Sequence, residues 1–169
     1  MKYLLITLLI LGSVKLSAQE KMQADSNAVN SIDGIIKEAL RLISTTKGTP
    51  QNLGALKNLF LPTAQFTVLM HDSLDSQIET IGLDEFIEML DDPYYHEGYL
   101  EYETGKVVDE YNGIAQVFQS YHGKDSDNYE ESGVSSYQLV YFNNRWWIAN
   151  IIWTGNSNGV KIPDKYLDK

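Results

Sequence analysis

The side chains of this sequence able to move a proton or orient a ligand are three histidines, eleven tyrosines and several acids set among apolar runs. His71 stands beside Asp72 at the end of an apolar stretch, and a histidine backed by a carboxylate at a cavity mouth is a general acid–base arrangement. Neighbours on a strand point to opposite faces, which works against that pairing. His96 lies in the run Pro93-Tyr94-Tyr95-His96-Glu97 and His122 closes an alternating stretch; the three spacings match no metal-ligand pattern. Tyr94, Tyr95 and Tyr99 are large, stiff and able to hydrogen-bond, so they can form a flap over a pocket or anchor an irregular loop on a core.

Two alternating segments supply the next candidates. Ala115, Val117, Gln119 and Tyr121 share one face of a strand, and Gly133, Ser135, Tyr137 and Leu139 share one face of the next. A polar group turned inward there is either paired with its neighbours or placed to orient a ligand, because leaving it unpaired costs about 1–3 kcal/mol. With Phe66 and Trp153 from apolar strands and His71 and Tyr95 at the mouth, Gln119, Tyr121, Ser135 and Tyr137 complete the candidate ligand-binding set. No catalytic or metal-binding residue is assigned, and no cofactor is expected.

Other chemistries lack their parts. There is no cysteine, so no thiol nucleophile, disulfide or lipidated cysteine, and no Gly-x-Ser-x-Gly; Ser132 to Ser136 reads as a strand entrance. No glycine loop suited to phosphate occurs. Asp125-Ser126-Asp127-Asn128-Tyr129-Glu130 comes nearest to a calcium loop but lacks its glycine and closing acid. Asp91-Asp92, Asp109-Glu110 and Glu130-Glu131 read as solvated ends.

The elements that must position these residues change character along the chain. After Asp25-Ser26, plausible caps, Val29, Ile32, Ile36, Ala39, Leu40 and Ile43 recur at helical spacing until Gly48 and Pro50. A second helix is expected from Asn52, with Leu53, Leu56, Leu59 and Phe60 inward before Pro62. A strand follows at 64–70 and a third helix at 83–90. From Tyr99 the chain turns rich in Tyr, Val, Ile and Trp, which predicts strands at 99–110, 114–122, 133–142 and 145–154. Asn112-Gly113 and Asn143-Asn144 suit tight turns, whereas 123–132 reads as an open loop. The expectation is an α+β fold with an antiparallel meander.

This order, with Asn112-Gly113-Ile114-Ala115-Gln116-Val117 and Arg145-Trp146-Trp147-Ile148 after an Asn-Asn turn, resembles the nuclear-transport-factor-2-like superfamily over roughly residues 27–154. That superfamily includes the ketosteroid isomerases and the polyketide cyclases of the SnoaL type. The resemblance implies a cone-shaped curved sheet wrapped around the N-terminal helices, with an apolar pocket at its mouth. The matching motifs mark the fold and not an activity.

In the last strand Trp146, Ile148 and Ile152 are read on one face and Trp147, Ala149, Ile151 and Trp153 on the other, so both faces look apolar and need covers. A homodimer through the sheet is expected, as the resemblance also suggests. The alternative cover is the carboxyl-terminal tail with Val160, Ile162 and Tyr166.

Lys2, the apolar stretch Leu4 to Leu11 and Ala18 read as a signal peptide over 1–18, too short to span a bilayer, which predicts export to the periplasm or beyond. A disordered 19–26, one domain at 27–155 and a loose tail at 156–169 complete the organisation. Without Lys2 and Lys15 the 13 basic residues become 11 against 23 acidic ones, and the net charge moves from −10 to −12. Such a surface repels nucleic acid and anionic lipid and fits a solvated exported protein. The expected function is a secreted module that binds an unknown small apolar molecule in its cone or serves as an interaction surface; the alternative is a cofactor-free isomerase, lyase or dehydratase acting on a small apolar molecule by proton transfer. An acid held inside the cavity discriminates them, and Glu101, Glu103 and Asp109 are the candidates.

Overall fold

The structure, a computed structural model, describes residues 25–71 and 75–168. The signal-peptide reading and Asp72 beside His71 lie outside these residues. A 3-10 turn at Ala28–Asn30 leads into α1 (Ile32–Ile43), followed by α2 (Leu53–Lys57), β1 (Phe60–His71), β2 (Ser76–Gly82), α3 (Leu83–Leu90), α4 (Pro93–His96), β3 (Tyr99–Tyr111), β4 (Ile114–Asp125), β5 (Glu130–Phe142) and β6 (Arg145–Gly155). The fold is α+β: six strands form one curved, unclosed sheet in the order β2-β1-β6-β5-β4-β3, with only the β1–β6 pair parallel.

The helix α1 starts later than Asp25-Ser26 suggests. Ser31 is its cap, accepting from the Gly34 N–H at 3.0 Å, and Gln51 Nε2 closes the far end on the carbonyls of Leu42 and Ile43. Ile35, Ile36, Ala39 and Leu42 are fully buried, and the helix packs against β3 and β6. The one acid of that buried stripe, Glu38, is satisfied by a two-pronged bond from Arg41, at 2.7 Å to each oxygen, and by the Asp25 N–H.

Several sequence expectations need correcting. The second helix ends at Lys57, and Phe60 opens a strand that runs through Pro62. Proline is tolerated there because pairing with β6 shifts between Phe60 and Gln65, leaving its missing N–H without a ladder partner to lose. The edge strand β2 was not expected at all; its apolar Ile78 is exposed and its alternation is weak. Pro93–His96 is a short helix capped by Asp92. The open loop expected at 123–132 is mostly strand, with β4 and β5 pairing as far as Lys124 and Glu130.

The faces of β6 are also reassigned. Pairing with β5 shifts between Gln138 and Leu139, so Ala149 has no partner. An unpaired residue moves the two-residue period by one. Trp146, Ile148, Ile151 and Trp153 therefore share the concave face, and Ile152 joins Phe118 on the convex one.

The tail is not loose. It crosses the convex face: the Ser157 hydroxyl donates to the His71 carbonyl, the Ser120 hydroxyl to the Tyr166 carbonyl at 2.6 Å, and the Asp168 N–H to the Thr104 carbonyl, while Tyr166 stacks on Phe118. Gly105 makes the approach possible. Its φ is +150° and a β-carbon there would lie 2.4 Å from the Asp168 nitrogen. The tail thus takes part of the face expected to meet a second copy; Ile114, Phe142 and Ile152 stay exposed.

Candidate functional site

Between α1, α3 and α4 on one side and the concave face of β3 to β6 on the other lies a cavity of about 240 Å³. Its floor is aromatic. Phe66 from β1 and Phe86 from α3 stack with ring centres 3.9 Å apart, and Phe60 meets Phe66 edge-on at 5.0 Å. Tyr121, Ser135, Tyr137, Ile151 and Trp153 form the sheet wall, and Tyr94, Tyr95 and Tyr99 stand opposite.

Two residues after α1 set the position of the polar end. The Ser44 hydroxyl accepts from the Glu101 N–H at 2.9 Å and donates to the Glu101 carbonyl. The Thr45 hydroxyl accepts from the Tyr99 N–H at 2.8 Å and donates to the Tyr95 carbonyl. The start of β3 and the α4 flap are thereby tied to one point. Tyr94, Tyr95 and Tyr99 then pack edge to face at 5.2 and 5.6 Å.

Glycines on the sheet leave room for the side chains laid over them. A β-carbon on Gly133 would meet the Tyr121 hydroxyl at 2.4 Å, and one on Gly155 would overlap the Glu131 carboxylate. Glu131 and Glu101 therefore enter the same cavity from β5 and β3.

Glu101 accepts a 2.7 Å hydrogen bond from the Tyr99 hydroxyl. Burial pushes its carboxyl above the ordinary glutamate range; the Tyr99 bond opposes this and the neighbouring Glu131 adds to it. Burial also raises Glu131. Tyr99, Tyr121 and Tyr137 are held protonated, first by burial and then by Glu101, with Glu131 ahead of Glu101 at Tyr121. At the rim Tyr94 donates to Asp125 at 2.8 Å, and burial with that bond pushes its hydroxyl up to about 12. An acid whose carboxyl is raised by burial, next to tyrosine donors and in apolar surroundings, can hydrogen-bond a ligand or exchange a proton with it.

Of the residues singled out in the sequence, Phe66, Tyr95, Tyr121, Ser135, Tyr137 and Trp153 line this cavity. Gln119 is fully buried but off the lining; its amide donates to the Ser120 carbonyl at 3.0 Å. His71 is elsewhere. It ends β1, bonds the Ser76 hydroxyl at 2.9 Å and lines a cleft between the tail and the convex face. Glu131 was read as a solvated acid. Its signal was parity, since it shares a face with Gly133, Ser135 and Tyr137 once β5 is extended back to Glu130.

No protein-family model matches the sequence, and no curated protein matches it. Among solved structures it is similar to an NTF2-like protein of unknown function from Silicibacter pomeroyi DSS-3, with 14% identity over 72% of this chain and 89% of that one and a TM-score of 0.48. A second NTF2-like protein of unknown function, from Methylobacillus flagellatus KT, is 14% identical over 74% and 94% of the two chains, with a TM-score of 0.46. The hexachlorocyclohexane dehydrochlorinase LinA-type3 from Novosphingobium barchaimii LL02 is 13% identical over 66% and 82%, with a TM-score of 0.48. Similarity at this level transfers no residue role.

Proposed function

We propose that the chain is an exported module whose concave cavity binds a small, predominantly apolar molecule and fixes its one polar end at Glu101. The observation that carries this reading is the placement of Glu101 in an aromatic cavity that is open at one end, with Tyr99 as its hydrogen-bond donor. A cavity walled by apolar rings with a few convergent polar groups is the usual form of a small-molecule site. Export rests on Lys2 and the apolar stretch Leu4 to Leu11.

A neutral apolar fluorophore, 1-aminoanthracene, tests it. The mature protein is expected to bind the dye with enhanced emission. Ser135→Leu, which fills the sheet wall from a buried position, should weaken binding by about tenfold or more while far-ultraviolet circular dichroism stays native. Equal binding by a folded Ser135→Leu variant would place the dye elsewhere and defeat the reading.

A second reading, cofactor-free proton transfer, is supported by the raised Glu101 carboxyl beside Tyr121 and Tyr137. In this reading Glu101 takes a proton from a carbon acid and returns it at a second position, and a tyrosine hydroxyl steadies the oxygen on which charge develops. A panel of small ketones in deuterated buffer, followed by proton NMR, is expected to reveal a member that exchanges with solvent. Glu101→Gln should slow that exchange by about 10²-fold or more. Exchange at the same rate in the variant would remove Glu101 from the chemistry.

A further inference from the structure

We infer that the molecule taken up by this cavity carries a positive charge, an organic ammonium whose apolar body lies on Phe66 and Trp153 and whose cationic end sits between Glu101 and Glu131. The inference rests on the cavity being a ligand site, and it comes from where these two carboxylates sit, not from the acidic balance of the whole surface.

Three acids, Glu101, Asp125 and Glu131, line one aromatic-walled space; Asp125 stands at the rim bonded by Tyr94, which leaves Glu101 and Glu131 as the pair deeper in the cavity. Among the described residues Lys124 is the one basic side chain on the lining, and it pairs with Glu130 at 2.9 Å. Tyr99 donates to Glu101; the Glu131 carboxylate accepts no hydrogen bond among the described residues. Burial raises both carboxyls and Glu131 raises Glu101 further, so the doubly charged state is disfavoured, and a proton or a cation relieves it. The walls around them suit a cation: Tyr95, Tyr99, Tyr121 and Trp153 bring ring faces and edges to the same space, and aromatic rings attract ammonium groups stripped of water. A neutral hydroxyl would answer one carboxylate. An ammonium answers both and the rings as well.

The charged and titratable groups sharing the cavity with Glu101 are Tyr99 on its own strand, Tyr121, Lys124 and Asp125 on β4, Tyr129 in the β4–β5 turn, Glu131 and Tyr137 on β5, and Tyr94 and Tyr95 on α4. Tyr94, Tyr95, Tyr99, Tyr121 and Tyr137 stay protonated through neutrality. Glu101 and Glu131 are thus the cavity acids whose carboxyls are raised, whereas the Tyr94 hydrogen bond holds Asp125 at the rim low, so a ligand with a permanent charge reports on the raised pair above the range of Asp125.

The probe is benzyltrimethylammonium, compared with its uncharged carbon isostere neopentylbenzene, titrated into the mature protein by tryptophan fluorescence. The cation is expected to bind about tenfold or more tighter than the isostere, and Glu101→Gln or Glu131→Gln should each weaken the cation about tenfold while leaving the isostere unchanged. Cation affinity in the wild type should fall as the pH is lowered through the raised carboxyl range. Glu101→Gln keeps an oxygen for the Tyr99 hydroxyl, so its folding is preserved and its melting curve checks this. Equal binding of both probes, unaffected by either substitution, would overturn the cationic inference and leave the cavity reading standing. Binding of neither probe, together with failure of the neutral dye, would overturn both.

Discussion

Phe66→Ala is expected to remove about 3–5 kcal/mol of folding stability, the range for truncating a buried phenylalanine. Phe66 is 1% exposed, stacks on Phe86 at 3.9 Å and meets Phe60 at 5.0 Å, so its removal breaks a three-ring cluster that joins β1 to α3. The cavity above Phe66 leaves its neighbours nothing to collapse onto on that side, so relaxation recovers little. Against a total of about 5–15 kcal/mol for a domain of this size, the loss takes a large share. Urea denaturation followed by tryptophan fluorescence measures it. A loss below about 1 kcal/mol would mean that the ring is not the floor described here.

Glu101→Gln is expected to act in the opposite direction at neutral pH, raising stability by about 1 kcal/mol, as relief of a strained functional group commonly does. The sign follows from linkage. Burial raises the carboxyl in the folded chain, so between the unfolded value and the folded one the native state holds a proton that the unfolded state has lost. Glu101 therefore favours folding most below the ordinary glutamate range, and this contribution is lost as the pH rises through its raised value. Asp33 works the other way: its hydrogen bonds to Lys106 and Lys37 hold its carboxyl low, and that contribution is lost on acidification. Both proteins carry Asp33, so the difference between their curves of stability against pH isolates Glu101. A variant less stable than the wild type at neutral pH, or a flat difference curve, would contradict the buried acid.

The sequence disclosed the elements wherever local chemistry decides them. Asn112-Gly113 and Asn143-Asn144 adopt the positive φ values their types allow, and each closes a hairpin at the expected place. Of the helical stripe read from spacing, Ile32, Ile36, Ala39 and Leu40 are buried and Val29 and Ile43 partly so, while Ile35 and Leu42, outside that reading, are fully buried as well. Non-local pairing was not legible. Ala149 carries no mark of being unpaired, yet it alone decides that Ile151 and Trp153 share the concave face with Trp146 and Ile148 and so line the cavity. The break in pairing between Glu103 and Gly105 has the same effect on β3. It explains why Glu101 was visible as a candidate acid while its surroundings were not.

His71 misled for a related reason. Its neighbour suggested acid–base chemistry, but β1 runs on past the cavity and delivers the ring to the cleft under the tail. Glu131 was passed over because two adjacent acids look like a solvated end, and only the extension of β5 to Glu130 makes the second of them face inward. Pattern identifies faces within a strand. Register between strands decides which faces meet.

The claim that everything else leans on is that the space around Glu101 receives a ligand. Side-chain and amide NMR shifts recorded during titration with 1-aminoanthracene address it most directly. The expected perturbations centre on Glu101, Tyr121, Tyr137 and Trp153, with the amides of Tyr95 and Tyr99 following as the flap responds. Perturbations confined to the convex face around Phe118, Ile152 and the tail, with Glu101 and Tyr137 silent, would contradict it.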